Sequence, residues 1–133
     1  MSVLTGKTIL VIGTILLIMP FFPTSASEAV DALLSDYQSR GVKEFSAAAG
    51  ESLWKTESSG RSCTSCHSTS VKSVGKHERT GKPILAMAPS VNPKRLTNKK
   101  KIEKWFLRNC KWTFDRQCTV QEKADILLWL SSQ

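Results

Sequence analysis

The 133-residue chain has no internal repeat, no low-complexity tract and no stretch of alternating apolar and polar residues long enough for a strand. These absences exclude a solenoid, a biased disordered tail and a sheet-built core. An apolar run of roughly 20 residues, the length that spans a bilayer as a helix, is also missing. The nearest to one, residues 8–22, is shorter and contains Pro20. With Lys7 before it and "PTSAS" after it, residues 1–27 read as a signal peptide removed on export, not as an anchor. Nor is any cysteine left over. The four follow residue 27 in two close pairs, Cys63 with Cys66 and Cys110 with Cys118. Export to the periplasm is an oxidising destination, where cysteines are used covalently.

Acidic residues are scarce, 11 Asp and Glu against 19 Lys and Arg, for a formal net charge of +8 at pH 7. The surplus is local: residues 28–62 sum to −2, 63–118 to +10 and 119–133 to −1. Nucleic acid is a poor partner for an exported chain, so this basic segment fits an acidic protein or a bound anionic cofactor.

What is present is helical. Residues 28–133 are long enough for one small domain with one core. Val30, Leu33, Leu34 and Tyr37 stand at i, i+3, i+4 and i+7, predicting a helix over 28–39 that stops before Gly41. A second helix is predicted over 42–56, with Phe45, Ala49 and Leu53 on one face. Its interior Gly50 costs about 1 kcal/mol against Ala, so another helix is expected to approach there. Residues 57–70 read as loop. Residues 71–93, with two glycines and three prolines, read as a long irregular excursion wrapping something large. Ile102, Trp105, Phe106 and Asn109 return the helical pattern over 97–109. Thr119 and Glu122 then open a last helix through a capping box, with Val120, Ala124, Leu127 and Leu128 as its apolar face. The expected fold is all-α, with four or five helices.

The chemistry is concentrated in "CTSCH" at 63–67. Cys-x-x-Cys-His is the attachment pattern of haem c: two thiols add to the vinyl groups and the adjacent histidine reaches the iron. Three other uses compete. A zinc site of four thiolates would consume every cysteine. A thioredoxin-like redox pair needs a strand-to-helix context that is absent. A disulfide across two residues is strained. One covalent haem c also gives the long loop something to wrap. In class I cytochromes c, which this pattern resembles, a helix with such a glycine crosses a C-terminal helix bearing an aromatic residue, here Trp129.

Three residues compete for the other face of the iron. Met87 in "LAMAPS" would give a low-spin electron carrier. His77 would give a bis-histidine haem. Asn109 continues the stripe of Ile102, Trp105 and Phe106, and a buried amide there needs a partner. Each also has a plain reading, as loop packing, a solvated loop histidine or a helix C-terminal residue. An open site is the fourth possibility.

The run "GKHERTGKPILAMAPSVNPKRLTNKKKIEKWFLRNC" and the following "DRQCTVQEKADILLWL" resemble the sphaeroides haem protein family of high-spin c-type cytochromes. The likeness runs from "FSAAAGESLW" to the end. It implies a class I cytochrome c-like fold around one covalent haem on Cys63 and Cys66, with His67 proximal. It implies Asn109 as the distal ligand of the oxidised iron, released on reduction, and a disulfide between Cys110 and Cys118. It also implies O₂ or NO as ligand, and a dihaem cytochrome c or a membrane cytochrome b as electron donor. Met87 departs from the family, where Leu stands. A carboxamide oxygen is a hard, weak donor, tolerable to ferric iron and poor for ferrous. A disulfide closing so short a loop is worth about 2–3 kcal/mol, either as a staple or by fixing the backbone that aims the amide. Lys94, Arg95, Lys99, Lys100, Lys101 and Lys104 read either as a solvated face or as a docking rim for an acidic donor. An electron carrier ligated by Met87 and an enzyme acting on oxygen species or peroxide are the other functional classes. For the enzyme no general acid or base stands out beyond His77.

Overall fold

The computed structural model describes residues 28–133; the signal-peptide reading of residues 1–27 lies outside the described residues. Helix α1, Glu28–Ser39, buries Val30, Leu33 and Tyr37 on one stripe, as its periodicity predicts. The backbone turns at Gly41, φ 101°, a left-handed conformation that suits glycine. Helix α2 then spans Ala47–Lys55, five residues later than the pattern suggested. Ser46 is the reason: its hydroxyl accepts from Ala49 N at 3.1 Å and caps the first turn, leaving 42–46 outside the helix. Val42 is still buried, but as part of this connector. The buried face of α2 is Gly50 and Trp54, not Phe45, Ala49 and Leu53.

Residues 57–70 are not all loop. Helix α3, Thr64–His67, is a single turn. The excursion that follows contains one small antiparallel pair, β1 (Gly75–Lys76) with β2 (Pro83–Ile84), in the register Gly75 with Ile84 and Lys76 with Pro83. The rest is irregular, as expected. Helix α4 is Lys99–Phe114. The sequence pattern ended it at Asn109 because Cys110, Lys111 and Trp112 do not extend an apolar stripe. The helix nevertheless continues to Asp115, whose left-handed φ of 56° stops it. Helix α5, Val120–Ser131, opens on the predicted Thr119–Glu122 capping box.

Helix α5 lies between two apolar clusters, which explains why one face did not describe it. Ala124 and Leu127 join Val30, Leu33, Tyr37, Val42 and Ile102. Ile126, Trp129 and Leu130 join Trp54, Val71 and Ala88. Leu128, assigned to the core stripe by periodicity, is only half-buried. The crossing predicted at Gly50 is present: a Cβ there would run into the backbone carbonyl of Asp125 on α5. Trp54 and Trp129 meet just beyond it, ring centroids 5.6 Å apart. Among the described residues, no helix is long and apolar enough to cross a membrane.

Candidate metal centre

Between α3, the 77–98 segment and the length of α4 lies a cavity of about 970 Å³. Cys63, Cys66, His67, His77, Met87 and Asn109 all line it. The structure therefore gathers every residue proposed around the iron into one place. It also carries Trp105, Phe106 and Trp112 from α4, and Trp54 from α2. The volume is of the size that holds a large cofactor.

His67 is seated from behind. Gly75 approaches so closely that a Cβ would overlap the Cys66 carbonyl and reach the His67 Cα at 2.8 Å. The imidazole lies 5.2 Å from the Trp54 ring. Burial, reinforced by the charge of Arg95, lowers its pKa to about 4, so the ring is neutral at physiological pH and able to ligate. Its Nδ1 and the Trp54 Nε1 are buried with no hydrogen-bond partner.

The cysteines divide as their chemistry requires. Cys110 and Cys118 form a disulfide with Cα atoms 5.5 Å apart, whereas Cys63 and Cys66 are not joined to each other. Four thiolates for zinc are thus unavailable. Burial pushes the Cys63 thiol up to about 11, with a Thr113 hydrogen bond opposing. A redox-active or metal-binding pair needs the reverse, a lowered pKa. A vicinal thiol pair beside a neutral, buried histidine fits covalent haem.

The other candidates are placed less symmetrically. His77 sits in the β1–β2 turn, where its Nδ1 accepts from Thr80 N at 3.3 Å and its backbone N–H bonds Lys82 at 2.8 Å. Met87 hangs from Val71, whose carbonyl accepts the N–H groups of Met87 and Ala88 at 2.8 and 2.9 Å. Arg95 and Asn92 hold the same loop through the Ala86 carbonyl, at 2.9 and 3.1 Å. The Met87 side chain packs partly against the Trp54–Trp129 cluster. Asn109 is half-buried in the interior of α4, so its reading as a helix-terminal residue is wrong. Trp105, expected on a buried stripe, is 45% exposed at the cavity. Of the basic residues, Lys94, Arg95 and Lys101 line the cavity and Lys99, Lys100 and Lys104 lie outside it.

Sequence reasoning missed Arg61, Trp112 and Thr113, which also line the cavity. The signal was available: Trp112 and Thr113 are i+3 and i+4 from Asn109, one more turn of the helix that had been ended too soon.

A family model described as a domain of unknown function (DUF1924) matches residues 40–130. The cytochrome c-type protein SHP of Cereibacter sphaeroides is 40% identical over 106 residues, 76% of this chain and 81% of that one. The structure of oxidised SHP, an oxygen-binding cytochrome c, superposes with a TM-score of 0.73 at 38% identity, covering 78% of this chain and 96% of the other. The chain belongs to the SHP family of c-type cytochromes. Cytochrome c″ of Methylophilus methylotrophus is also similar, 38% identical over 71 residues, 53% of this chain and 49% of that one. Its oxidised crystal structure superposes with a TM-score of 0.66 at 29% identity, covering 77% of this chain and 92% of the other. Its solution structure, which concerns haem-ligand detachment, matches equally well, covering 78% and 93%. The SHP-family fold is the all-α, class I-like arrangement expected, and its cofactor is one covalent haem c. The cavity, with its thiol pair, neutral histidine and aromatic walls, fits that group.

Proposed function

We propose that this SHP-family cytochrome is an exported, high-spin gas-binding protein whose distal ligand is Asn109. Cys63 and Cys66 would hold the haem through thioethers, and His67 would supply an imidazole nitrogen to the iron. When bound, haem c supplies an iron that changes between ferric and ferrous states and takes small diatomic ligands. Asn109 offers a carboxamide oxygen, hard enough for ferric iron and too weak for ferrous. Reduction would therefore release Asn109 and leave that side open to O₂ or NO. Trp105 and Trp112, a turn away on either side of Asn109, exclude bulk water there. Electrons come from another cytochrome of the periplasm, a dihaem cytochrome c or a membrane cytochrome b, approaching the basic residues of α4.

One observation carries the reading: Asn109 stands inside a continuous helix and lines the same cavity as His67. The oxygen binding of SHP and the ligand detachment of cytochrome c″ support it by kinship. Met87 lines the cavity as well, which favours a second reading as a low-spin electron carrier. Visible spectra of the oxidised and dithionite-reduced protein separate the two. The expected reduced form is high-spin, with Asn109→Ala altering the oxidised spectrum and leaving the reduced one nearly unchanged. A low-spin reduced spectrum, with a far-red thioether band when oxidised, would establish Met87 instead.

A further inference from the structure

On α4 the neighbours of Asn109 toward the C terminus, at i+3 and i+4, are Trp112 and Thr113. Trp112 is gripped by the segment that leads to the first haem cysteine. The Arg61 guanidinium lies over the Trp112 ring, 5.2 Å from its centroid. The same group donates through Nη2 to both carboxylate oxygens of Asp115, each at 3.0 Å. Arg61 is not loosely tethered: it and Ser58 exchange backbone hydrogen bonds of 2.7 and 3.0 Å across a tight turn.

These contacts differ in kind from the disulfide. Cys110–Cys118 fixes α4 to the start of α5. Arg61 fixes α4 to the segment that leads into Cys63, Cys66 and His67. The second tie joins Asn109's helix directly to the residues that hold the haem. A planar guanidinium suits the task, because one group stacks on an indole face and pairs with a carboxylate at once.

We propose that Arg61 is a positioning residue for Asn109: by clamping Trp112 and Asp115 to the haem-attachment segment, it determines how strongly the amide engages ferric iron. The proposal rests on the reading of Asn109 as the ferric ligand. A weak ligand is the case in which a modest clamp matters, since a small displacement changes the fraction of molecules in which the amide is bound.

The test uses competition. Asn109 opposes an added ligand only in the ferric state, so cyanide affinity of the ferric holoprotein and CO affinity of the ferrous one are measured side by side. The proteins are wild type, Arg61→Met, Asp115→Asn, Asn109→Ala and the Arg61→Met, Asn109→Ala double variant. Asp115 lies outside the cavity lining and is 66% exposed, and asparagine tolerates its left-handed backbone. Asp115→Asn thus isolates the clamp from any direct effect of Arg61 inside the cavity. Losing the ion pair and the stack together is expected to raise ferric cyanide affinity about five-fold in Arg61→Met. Losing the ion pair alone is expected to raise it about two-fold in Asp115→Asn. Asn109→Ala raises it further, Arg61→Met adds nothing in that background, and ferrous CO affinity stays at the wild-type value in Asp115→Asn, whose site lies outside the cavity lining. Unchanged cyanide affinity in both clamp variants overturns the proposal, as does an equal effect of Arg61→Met with and without Asn109. If Asn109→Ala itself leaves cyanide affinity unchanged, the ligand reading falls first and the clamp with it.

Discussion

Gly50 and Gly75 are both placed where a methyl group has no room, and substituting them should do different damage. At Gly50 the obstacle is the Asp125 backbone, the point where α2 crosses α5. Alanine there gains about 1 kcal/mol of helix propensity, but overpacking against rigid backbone costs about 1–3 kcal/mol or more. Gly50→Ala is expected to lower the melting temperature by several degrees, roughly 4–8 °C per kcal/mol at this size, while leaving the haem spectrum in place. At Gly75 the obstacle is the Cys66 carbonyl and the His67 Cα. Relief can come only by moving the histidine, so Gly75→Ala should shift the spectra of both oxidation states at a smaller cost in stability. Thermal melts read beside spectra check the pair; the same spectral change in both variants would mean that the two contacts are not separate. The sequence alone announced Gly50, because a glycine inside a helical pattern is conspicuous. It concealed Gly75, because a glycine among loop residues is ordinary and its neighbour in space lies eight residues away in sequence.

The elements are fastened to one another at identifiable points. Tyr37 of α1 donates to Glu103 of α4, and Lys123 of α5 donates to the other carboxylate oxygen at 2.7 Å. Burial opposes the Glu103 charge, but hydrogen bonds from Lys123 and Tyr37 outweigh it and hold the carboxyl below its ordinary range. A carboxyl depressed on folding contributes stability that is complete above its unfolded pKa and is lost as pH falls through the folded one. From about pH 4.5 downward the wild type should therefore lose an increment of stability that Glu103→Gln lacks. Melting temperature against pH measures it, and parallel curves would dismiss this carboxyl as a source of acid sensitivity. The disulfide is the second fastening. Because α4 continues through Asn109 and Cys110, the helix itself sets the direction of the amide, and the disulfide sets the place of the helix. Cys110→Ser with Cys118→Ser is expected to cost about 2–3 kcal/mol and to perturb the oxidised spectrum. A loss of stability with an unaltered spectrum would leave it a staple. Most of this architecture could be read in advance: α1, the α5 capping box, the crossing at Gly50 and the cysteine–histidine motif depend on local spacing. The start of α2 and the end of α4 could not. The one is decided by a serine cap and the other by a left-handed aspartate, and neither interrupts or extends an apolar stripe.

For the whole molecule, charge is the property with the longest reach. Lys99, Lys100, Lys101, Lys104, Arg108 and Lys111 are all exposed on α4, and none takes part in the ion pairs found among the described residues. Arg108 instead lies over the Trp105 ring at 5.7 Å, beside the cavity. Paired cations cancel at a distance, whereas an unpaired row on one helix gives a field that extends about a Debye length, roughly 8 Å at physiological ionic strength. Such a field would steer an acidic donor toward the helix that carries Asn109, and its effect would appear in association rate more than in affinity. Lys100 and Lys104 lie outside the cavity, so reversing them alters the field without touching the centre. Lys100→Glu with Lys104→Glu is expected to slow reduction by an acidic cytochrome about ten-fold at low salt. The difference should shrink as salt rises, and the oxidised spectrum should match the wild type. Reduction by hydroquinone, which carries no charge to steer, should proceed equally in both proteins. Stopped-flow traces across an ionic-strength series make the comparison; a salt-independent rate, or equal slowing with hydroquinone, would assign these lysines to solvation alone.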